Sequence, residues 1–322
     1  MDIRLCNSQN DWFTGICVQK HLMNNTTSNF FCQQTVKVFF SFLPKILKRF
    51  CTLYSYSTSD KKQRQGIRME TVSLLILCVY GVVWGSFLTV VGLRVPLNQP
   101  ITVSRSACPN CHHVLAGVEL IPVFSILYQR GKCRHCHQRI SLLYPIIELV
   151  SAASFCLIYL YVDHHIFNLA TSGLLLTFGI VFSVSDLTYQ ILPDRIMRWF
   201  AAAVFAVHVL NGTKDFLFYS ATGIVFFLLF YLFYQRLPNS IGGGDVKCYG
   251  ILGFLLGYQT CVLALLLACL LVFAIQIPLL LVKKVNLQQA IPFAPFIFTG
   301  AFLAYLIGSS FYEWMNLLIF IQ

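Results

Sequence analysis

Long apolar runs separated by short polar connections dominate the chain beyond residue 69. Eight such runs follow one another, at about 71–92, 142–162, 166–185, 196–211, 216–235, 246–258, 260–282 and 293–312. Most of them approach the roughly 20 residues that a helix needs to cross a bilayer, although the fourth and sixth are shorter. The pattern predicts an all-α polytopic membrane protein, with about eight transmembrane helices in contact with a lipid bilayer.

Composition agrees with this class. The chain of 322 residues is 57% hydrophobic and only 11% charged, and its mean hydropathy is +0.71. These values exclude an ordinary soluble domain. The formal charge of +11 is concentrated near the start, since residues 1–68 hold ten Lys/Arg and three Asp/Glu. We expect no nucleic-acid partner, and the pattern leaves the oligomeric state open.

Residues 1–68 form an atypical basic extension. A tail of this charge ahead of the first span would have to be translocated, against the rule that Lys and Arg stay inside. We therefore predict that the extension is not native or not functional and that the chain starts at Met69. A leader-like segment and a genuine surface extension are the alternatives.

Lys and Arg also assign sides to the connections between spans. They accumulate in the connections at 93–141, 236–247 and 283–292 and, as Arg195 and Arg198, at or just after the end of the connection at 186–195, whereas the connections at 163–165, 211–215 and 257–259 are poor in them. By the positive-inside rule the first group is cytoplasmic. The first transmembrane helix is then 69–92, and 93–141 is a cytoplasmic insert that follows it.

The insert carries four regularly spaced cysteines. Cys108 and Cys111 form one C-x-x-C motif, and Cys133 and Cys136 form another after 21 intervening residues. Two such motifs supply the four thiolates of a tetrahedral zinc site, and four protein ligands leave no open position for water. The spacing predicts a structural zinc, with reduced thiols as the alternative.

Two aspartates stand at the ends of apolar runs. Asp245 follows Gly242, Gly243 and Gly244, and Asp186 lies 59 positions upstream. Ionisable residues in a membrane segment are treated as functional by default. The glycines permit φ > 0 and close approach of another segment, and a helix N-terminus at Asp245 would favour its carboxylate.

Paired carboxylates can share a proton and activate a water, which would make Asp186 and Asp245 the catalytic pair of a peptidase. Three alternatives stand beside this hypothesis. The two residues would otherwise be a helix cap and a solvated helix end, the proton or cation relay of a transporter, or polar groups of a zinc-bearing scaffold. Asp194 is predicted to cap the following helix, and Glu148 either serves a second activity or pairs with an arginine.

Several segments resemble, in the same order, those of the type IV prepilin peptidases, which are bacterial G-x-G-D membrane aspartic proteases. The matching segments are Gly85-Ser86-Phe87-Leu88 with Arg94-Val95-Pro96, Pro122-Val123-Phe124-Ser125, Arg130-Gly131-Lys132-Cys133, Tyr144-Pro145-Ile146-Ile147-Glu148, and the two aspartate motifs. Thr89 departs from the pattern, because the family usually has asparagine there.

The resemblance implies an endopeptidase whose core, 142–322, uses Asp186 and Asp245 at the cytoplasmic face of the bacterial inner membrane. It implies that the substrates are type IV prepilins or competence pseudopilins, cut after their basic leader. It also implies N-methylation of the new terminus with S-adenosylmethionine. We expect Gly242, Gly243, Gly244 and Lys247 to line the approach of the substrate to Asp245.

Overall fold

The structure is a computed structural model that describes residues 61–101, 106–108, 111, 113–212, 215–236, 241–281 and 291–319. The chain divides into two compact units, Met1–Ile67 with Asn316–Gln322, and Arg68–Met315. Both aspartates and all four insert cysteines belong to the second unit. The prediction about residues 1–68 falls mainly outside the described residues and stays a prediction.

The described residues are mostly helical and form no β-strand. The helices are α1 (Lys61–Arg94), α2 (Phe124–Tyr128), α3 (Leu143–Tyr161), α4 (Ile166–Tyr189), α5 (Asp194–Leu210), α6 (Phe216–Arg236), α7 (Gly243–Leu281) and α8 (Ala294–Ile319), with a 3₁₀ turn at Gly117–Leu120. Five of these helices, α1, α3, α4, α6 and α7, contain stretches long and apolar enough to cross a membrane. Within α8, the apolar stretch Ala294–Gly308 is shorter. All eight apolar runs are helical, which confirms the all-α membrane fold.

One predicted connection is replaced by a kink. The runs at 246–258 and 260–282 were expected to be separate helices, but both belong to α7. The backbone leaves helical geometry at Gly257, where φ is 75° and ψ is 171°. Glycine adopts a positive φ without the steric cost that a Cβ brings, so the chain changes direction there without a loop.

Helix α7 packs closely against α6 through small residues. A Cβ added to Gly223 would lie 2.8 Å from the carbonyl oxygen of Gly250, and one added to Gly253 would lie 3.2 Å from the Cα of Gly223. Interfaces of this kind hold membrane helices together by van der Waals contact, because lipid provides little hydrophobic drive between them. The contact fixes the helix whose first turn carries Asp245.

An aromatic cluster joins α4, α5 and α8. The rings of Phe182 and Phe298 stack with centroids 5.5 Å apart, and Phe200 contacts both, at 6.1 and 6.0 Å. Phe182 and Phe200 are fully buried, and Phe298 is 4% exposed. Phe182 lies one turn before Asp186, and Phe298 lies one turn after Ala294. The cluster therefore holds the end of α4 against the start of α8.

Candidate active site and metal centre

Asp186 lies near the end of α4, with only 7% of its surface exposed. Its Oδ2 accepts a hydrogen bond of 2.8 Å from the backbone N–H of Ala294, and the N–H of Phe293 also donates to this carboxylate. Ala294 is the first residue of α8. Asp186 thus satisfies N–H groups at the start of another helix, where the helix dipole favours a negative charge.

Asp245 is the third residue of α7 and is 9% exposed. The backbone N–H of Gly242, just before the helix, donates to its carboxylate. An acidic side chain that reaches back from the first turn in this way satisfies an otherwise unpaired donor. Both aspartates are therefore held by backbone groups at helix N-termini, Asp245 by its own helix and Asp186 by α8.

The fold brings the two carboxylates within electrostatic reach of each other. Two contacts connect their segments: the Ser185 hydroxyl donates to the carbonyl of Ile191 at 2.5 Å, and Leu192 packs directly on Gly244. Two neighbouring buried carboxylates cannot both be ionised at low cost. Two such carboxylates can share a proton, which is the arrangement that acid–base hydrolysis uses.

The three glycines before Asp245 differ in what they permit. None of them, all three being described, has a positive φ, so the freedom that glycine has to adopt one is not used here. A Cβ on Gly244 would lie 2.8 Å from the Cβ and Cδ1 of Leu192, and one on Gly242 would lie 3.1 Å from Oδ2 of Asp245. No heavy atom of the described residues lies within 4 Å of a Cβ placed on Gly243. Close approach, mainly at Gly244, is what these glycines allow.

We expect Gly244→Ala to reduce activity by about tenfold or more, because overpacking typically costs about 1–3 kcal/mol and would displace Leu192 or the start of α7. Gly243→Ala is the matched control and should keep activity close to that of the parent protein. The initial rate of prepilin cleavage by the two purified variants provides the test. Equal rates would show that Leu192 does not set the position of Asp245.

Lys247 contacts a different aspartate. Its Nζ lies 2.6 Å from Oδ1 of Asp194, and both side chains are well exposed, at 49% and 69%. The expected capping role of Asp194 is wrong: Pro193 is the N-cap residue of α5, no side-chain cap bond forms there among the described residues, and Asp194 lies inside the helix. Its carboxylate instead links the starts of α5 and α7, although exposed pairs contribute little stability.

The four insert cysteines come together as one cluster. The sulfur atoms of Cys108, Cys111, Cys133 and Cys136 all lie within 4.8 Å of one another. The Cys108–Cys136 and Cys111–Cys133 sulfur distances are 3.8 and 4.0 Å. A tetrahedral zinc with Zn–S bonds of about 2.3 Å needs sulfur separations of about 3.8 Å, so the donor set and its spacing fit this ion.

Each C-x-x-C motif lies in a tight turn closed by backbone hydrogen bonds. The N–H of Cys108 donates to the carbonyl of His113 at 3.0 Å, and the N–H of Cys133 donates to that of Gln138 at 2.9 Å. The rings of His113 and His135 are in contact, with centroids 3.5 Å apart. These two histidines therefore pack beside the cluster, and the four cysteine sulfur atoms would be the ligands of a bound ion.

Glu148 has a role that the sequence did not reveal. It is buried in α3, accepts a hydrogen bond of 2.8 Å from the N–H of Val123, and interacts with the Ser86 hydroxyl. Val123 has φ 59° and ψ −49°, an unusual conformation for a β-branched residue. The described partners of Glu148 thus join the insert to α1 and α3. The motif Tyr144-Pro145-Ile146-Ile147-Glu148 did mark Glu148 as a candidate functional residue. Nothing in the sequence, however, indicated that Val123 would be its partner.

The contact between Asp186 and α8 was missed as well, because it joins a side chain to backbone groups more than 100 positions away. The sequence did contain a signal for the helix start. Pro292-Phe293-Ala294-Pro295 places prolines on either side of the two donors, and proline is typical of a first helical turn. Nothing in that segment, however, indicates which acceptor its N–H groups would find.

Comparisons with known proteins agree with this geometry. The model of the bacterial peptidase A24 N-terminal domain matches residues 79–162, and that of the type IV leader peptidase family matches residues 173–277. A prepilin leader peptidase/N-methyltransferase from Bacillus subtilis (strain 168) is 32% identical over 240 residues, covering 74% of this chain and 95% of that protein.

Proteins of the same description from Aeromonas hydrophila and Burkholderia pseudomallei (strain 1026b) are each 28% identical, over 269 and 277 residues. These matches cover 74% and 75% of this chain, and 92% and 87% of the two relatives. No solved structure matches the chain at a comparable level of significance. The extent of the first match and the two family models together show that the chain belongs to the type IV prepilin leader peptidase family.

Proposed function

We propose that this protein is a membrane aspartic endopeptidase that removes the basic leader of type IV prepilins or competence pseudopilins and then N-methylates the new terminus. The observation that carries the proposal is the pair of buried, interacting carboxylates of Asp186 and Asp245, each bound to backbone N–H groups of a helix N-terminus. The names of the relatives, prepilin leader peptidase/N-methyltransferase, supply the substrate class.

The proposed hydrolysis needs only the two carboxyl groups and a water. The ionised carboxylate takes a proton from the water, whose oxygen attacks the carbonyl carbon of the scissile peptide bond. The protonated partner donates a hydrogen bond to the carbonyl oxygen. A proton is then delivered to the leaving amine as the C–N bond breaks, and the pair returns to its single-proton state. No covalent intermediate forms.

The direct test is cleavage of a synthetic prepilin by the purified protein in lipid nanodiscs. We expect mass spectrometry to show a leader fragment that ends at glycine and a mature fragment that begins with the next residue. Adding S-adenosylmethionine should increase the mass of the mature fragment by one methyl group. A transporter that uses Asp186 and Asp245 as an ion relay would leave the prepilin intact, and that result would reject the proposal.

Methyl transfer would need S-adenosylmethionine as the methyl donor, and we propose that the insert at 93–141 holds it. The family's asparagine position is Thr89 in this chain. Thr89 is fully buried, and its hydroxyl donates to the carbonyl of Gly85 at 2.8 Å. The hydroxyl of Thr89 therefore forms its hydrogen bond within α1. Any contact with a cofactor in this chain must come from other residues.

We place the active site at the cytoplasmic face of the bacterial inner membrane. The support is the excess of Lys and Arg in the connections at 93–141 and 236–247, which border α1 and α7. A leader that has not crossed the membrane is accessible only from that face.

This topology makes a prediction of its own. A reporter fused after Arg134 should report a cytoplasmic location, and one fused at His165, between α3 and α4, should report an external one. Paired phosphatase and fluorescent-protein fusions in whole cells would measure both positions. Reversed signals would place Asp186 and Asp245 on the wrong face for an unprocessed leader.

A further inference from the structure

The insert contains a short segment whose apolar side chains face outward. In Gly117–Leu120 and α2, together with the residues that join them, the exposed large apolar side chains are Val118, Leu120, Ile121, Phe124, Leu127 and Tyr128. Leu127 is the most exposed of them, at 72%. We call this stretch, Gly117–Tyr128, the apolar segment. Contiguous exposed apolar surface of this kind usually marks a contact with a membrane or another molecule.

Helix α2 exposes its apolar face and buries a polar residue, the reverse of a surface helix in a soluble protein. Phe124, Leu127 and Tyr128 share one face by their spacing of three and four residues, and all are at least half exposed. Ser125, on the other side, is buried at 9% exposure. A soluble domain would place the serine in water and the large apolar side chains inside. The arrangement suits an apolar environment outside the insert.

A hydrogen bond to α3 fixes the position of the apolar segment relative to the membrane. The N–H of Val123, next to Phe124, is bound at 2.8 Å to Glu148, which lies five residues into α3. At a rise of 1.5 Å per residue, that is about 7.5 Å along the helix from Leu143. Because α3 is a 19-residue candidate span, its first turns lie at the bilayer boundary. The apolar segment is therefore held near the boundary between the lipid headgroups and the acyl chains.

The exposed charged side chains among the described residues between 95 and 142 are all positive. Between residues 95 and 142 the only acidic residue is Glu119, which is buried and accepts from the N–H of Ala116 at 2.8 Å. Four basic side chains of the same stretch are exposed: Arg130, Lys132, Arg134 and Arg139. The Arg134 guanidinium lies over the Tyr128 ring, 4.5 Å from its centroid, and so links the basic residues to the apolar face.

We propose that the apolar segment is an interfacial anchor that inserts into an anionic phospholipid leaflet, at the side of the bilayer where α3 begins. Apolar side chains flanked by Lys and Arg are the arrangement that binds such surfaces, since the chains enter the headgroup region while the cations pair with lipid phosphates. A basic prepilin leader would be repelled by the same cations. The proposal does not depend on the cleavage chemistry.

The test uses the full-length protein in nanodiscs that contain phosphatidylglycerol, with and without bromine on the acyl chains. Leu127→Trp adds a fluorophore to the apolar segment, and the emission of the parent protein is subtracted. Because interfacial anchors lie about 5–10 Å deep, brominated lipid should remove about half of the added emission. Gln138→Trp, at an exposed polar position of the second C-x-x-C turn, is the control and should lose little.

Two further measurements distinguish a lipid anchor from other interpretations of the quenching. Replacing phosphatidylglycerol by phosphatidylcholine should weaken the quenching of Trp at 127, and equal quenching in both lipids would overturn the anionic preference. If brominated lipid causes no quenching but the emission of Trp at 127 changes when a prepilin is added, the segment binds substrate, and the anchor is rejected. Phe124→Trp repeats the measurement on the same face if Leu127→Trp fails to retain the metal content of the parent protein.

Discussion

Asparagine at either position 186 or position 245 is expected to abolish prepilin cleavage while the protein still folds and inserts. Asparagine keeps the size of the side chain and an oxygen that can accept the N–H of Ala294 or Gly242, so the backbone contacts survive. What is lost is the group that exchanges a proton. Removing one acid–base catalyst typically costs about 100- to 10,000-fold, and here each variant breaks a cycle that needs both residues.

Single-turnover cleavage of a synthetic prepilin, followed by mass spectrometry, measures this loss. Asp194→Asn is the matched control, because its carboxylate lies at the start of α5 and forms only an exposed pair with Lys247. Such pairs are worth up to about 1 kcal/mol, so this variant should stay within a few-fold of the parent rate. Normal processing by Asp186→Asn or Asp245→Asn would rule out the catalytic pair.

The second large effect concerns the metal. The purified protein should contain about one equivalent of zinc, since the four sulfur atoms fill one tetrahedral site. Zinc binding to thiolates contributes about 10 kcal/mol or more of folding free energy in small modules, and this insert has little core of its own. Cys108→Ser or Cys136→Ser should therefore lose the metal and make the insert sensitive to protease.

Elemental analysis and limited proteolysis provide the measurements, and Cys269→Ser, in α7 and outside the cluster, is the control that should keep its zinc. Cleavage should fall less in the cysteine variants than in the aspartate variants, because the proposed acids lie outside the insert. A fully active protein without zinc would contradict the structural role. Immediate, reversible inhibition by a chelator without unfolding would indicate a metallopeptidase and exclude the two-aspartate mechanism.

Much of the fold was predictable from local signals. Continuous apolar runs of about the length that crosses a bilayer favour helices, because a helix bonds its backbone groups within its own segment in lipid. The cysteine pairs were equally informative, because two C-x-x-C motifs at this spacing are typical of a four-cysteine metal site, and their sulfur atoms do come together. The kink at Gly257 was not predictable, since a glycine beside polar residues also fits an ordinary loop.

The site was predictable only as two separate aspartates. Their residue types and positions at helix ends were visible, but the contact of Asp186 with Ala294 and that of Leu192 with Gly244 join segments distant in sequence. Such contacts depend on how helices pack, which hydropathy does not encode. The same reason hid the bond between Val123 and Glu148, whose partners are in the insert and in a membrane helix.

The contact between Asp186 and α8 has an evolutionary consequence. The donors at Phe293 and Ala294 are backbone amides, which every residue except proline possesses. Substitutions at the start of α8 can therefore accumulate, within the limits of the packing around buried Ala294, without removing the donors. The model of the type IV leader peptidase family ends at residue 277, before this helix. A segment that holds a catalytic candidate in place can thus diverge in sequence while its contribution is retained.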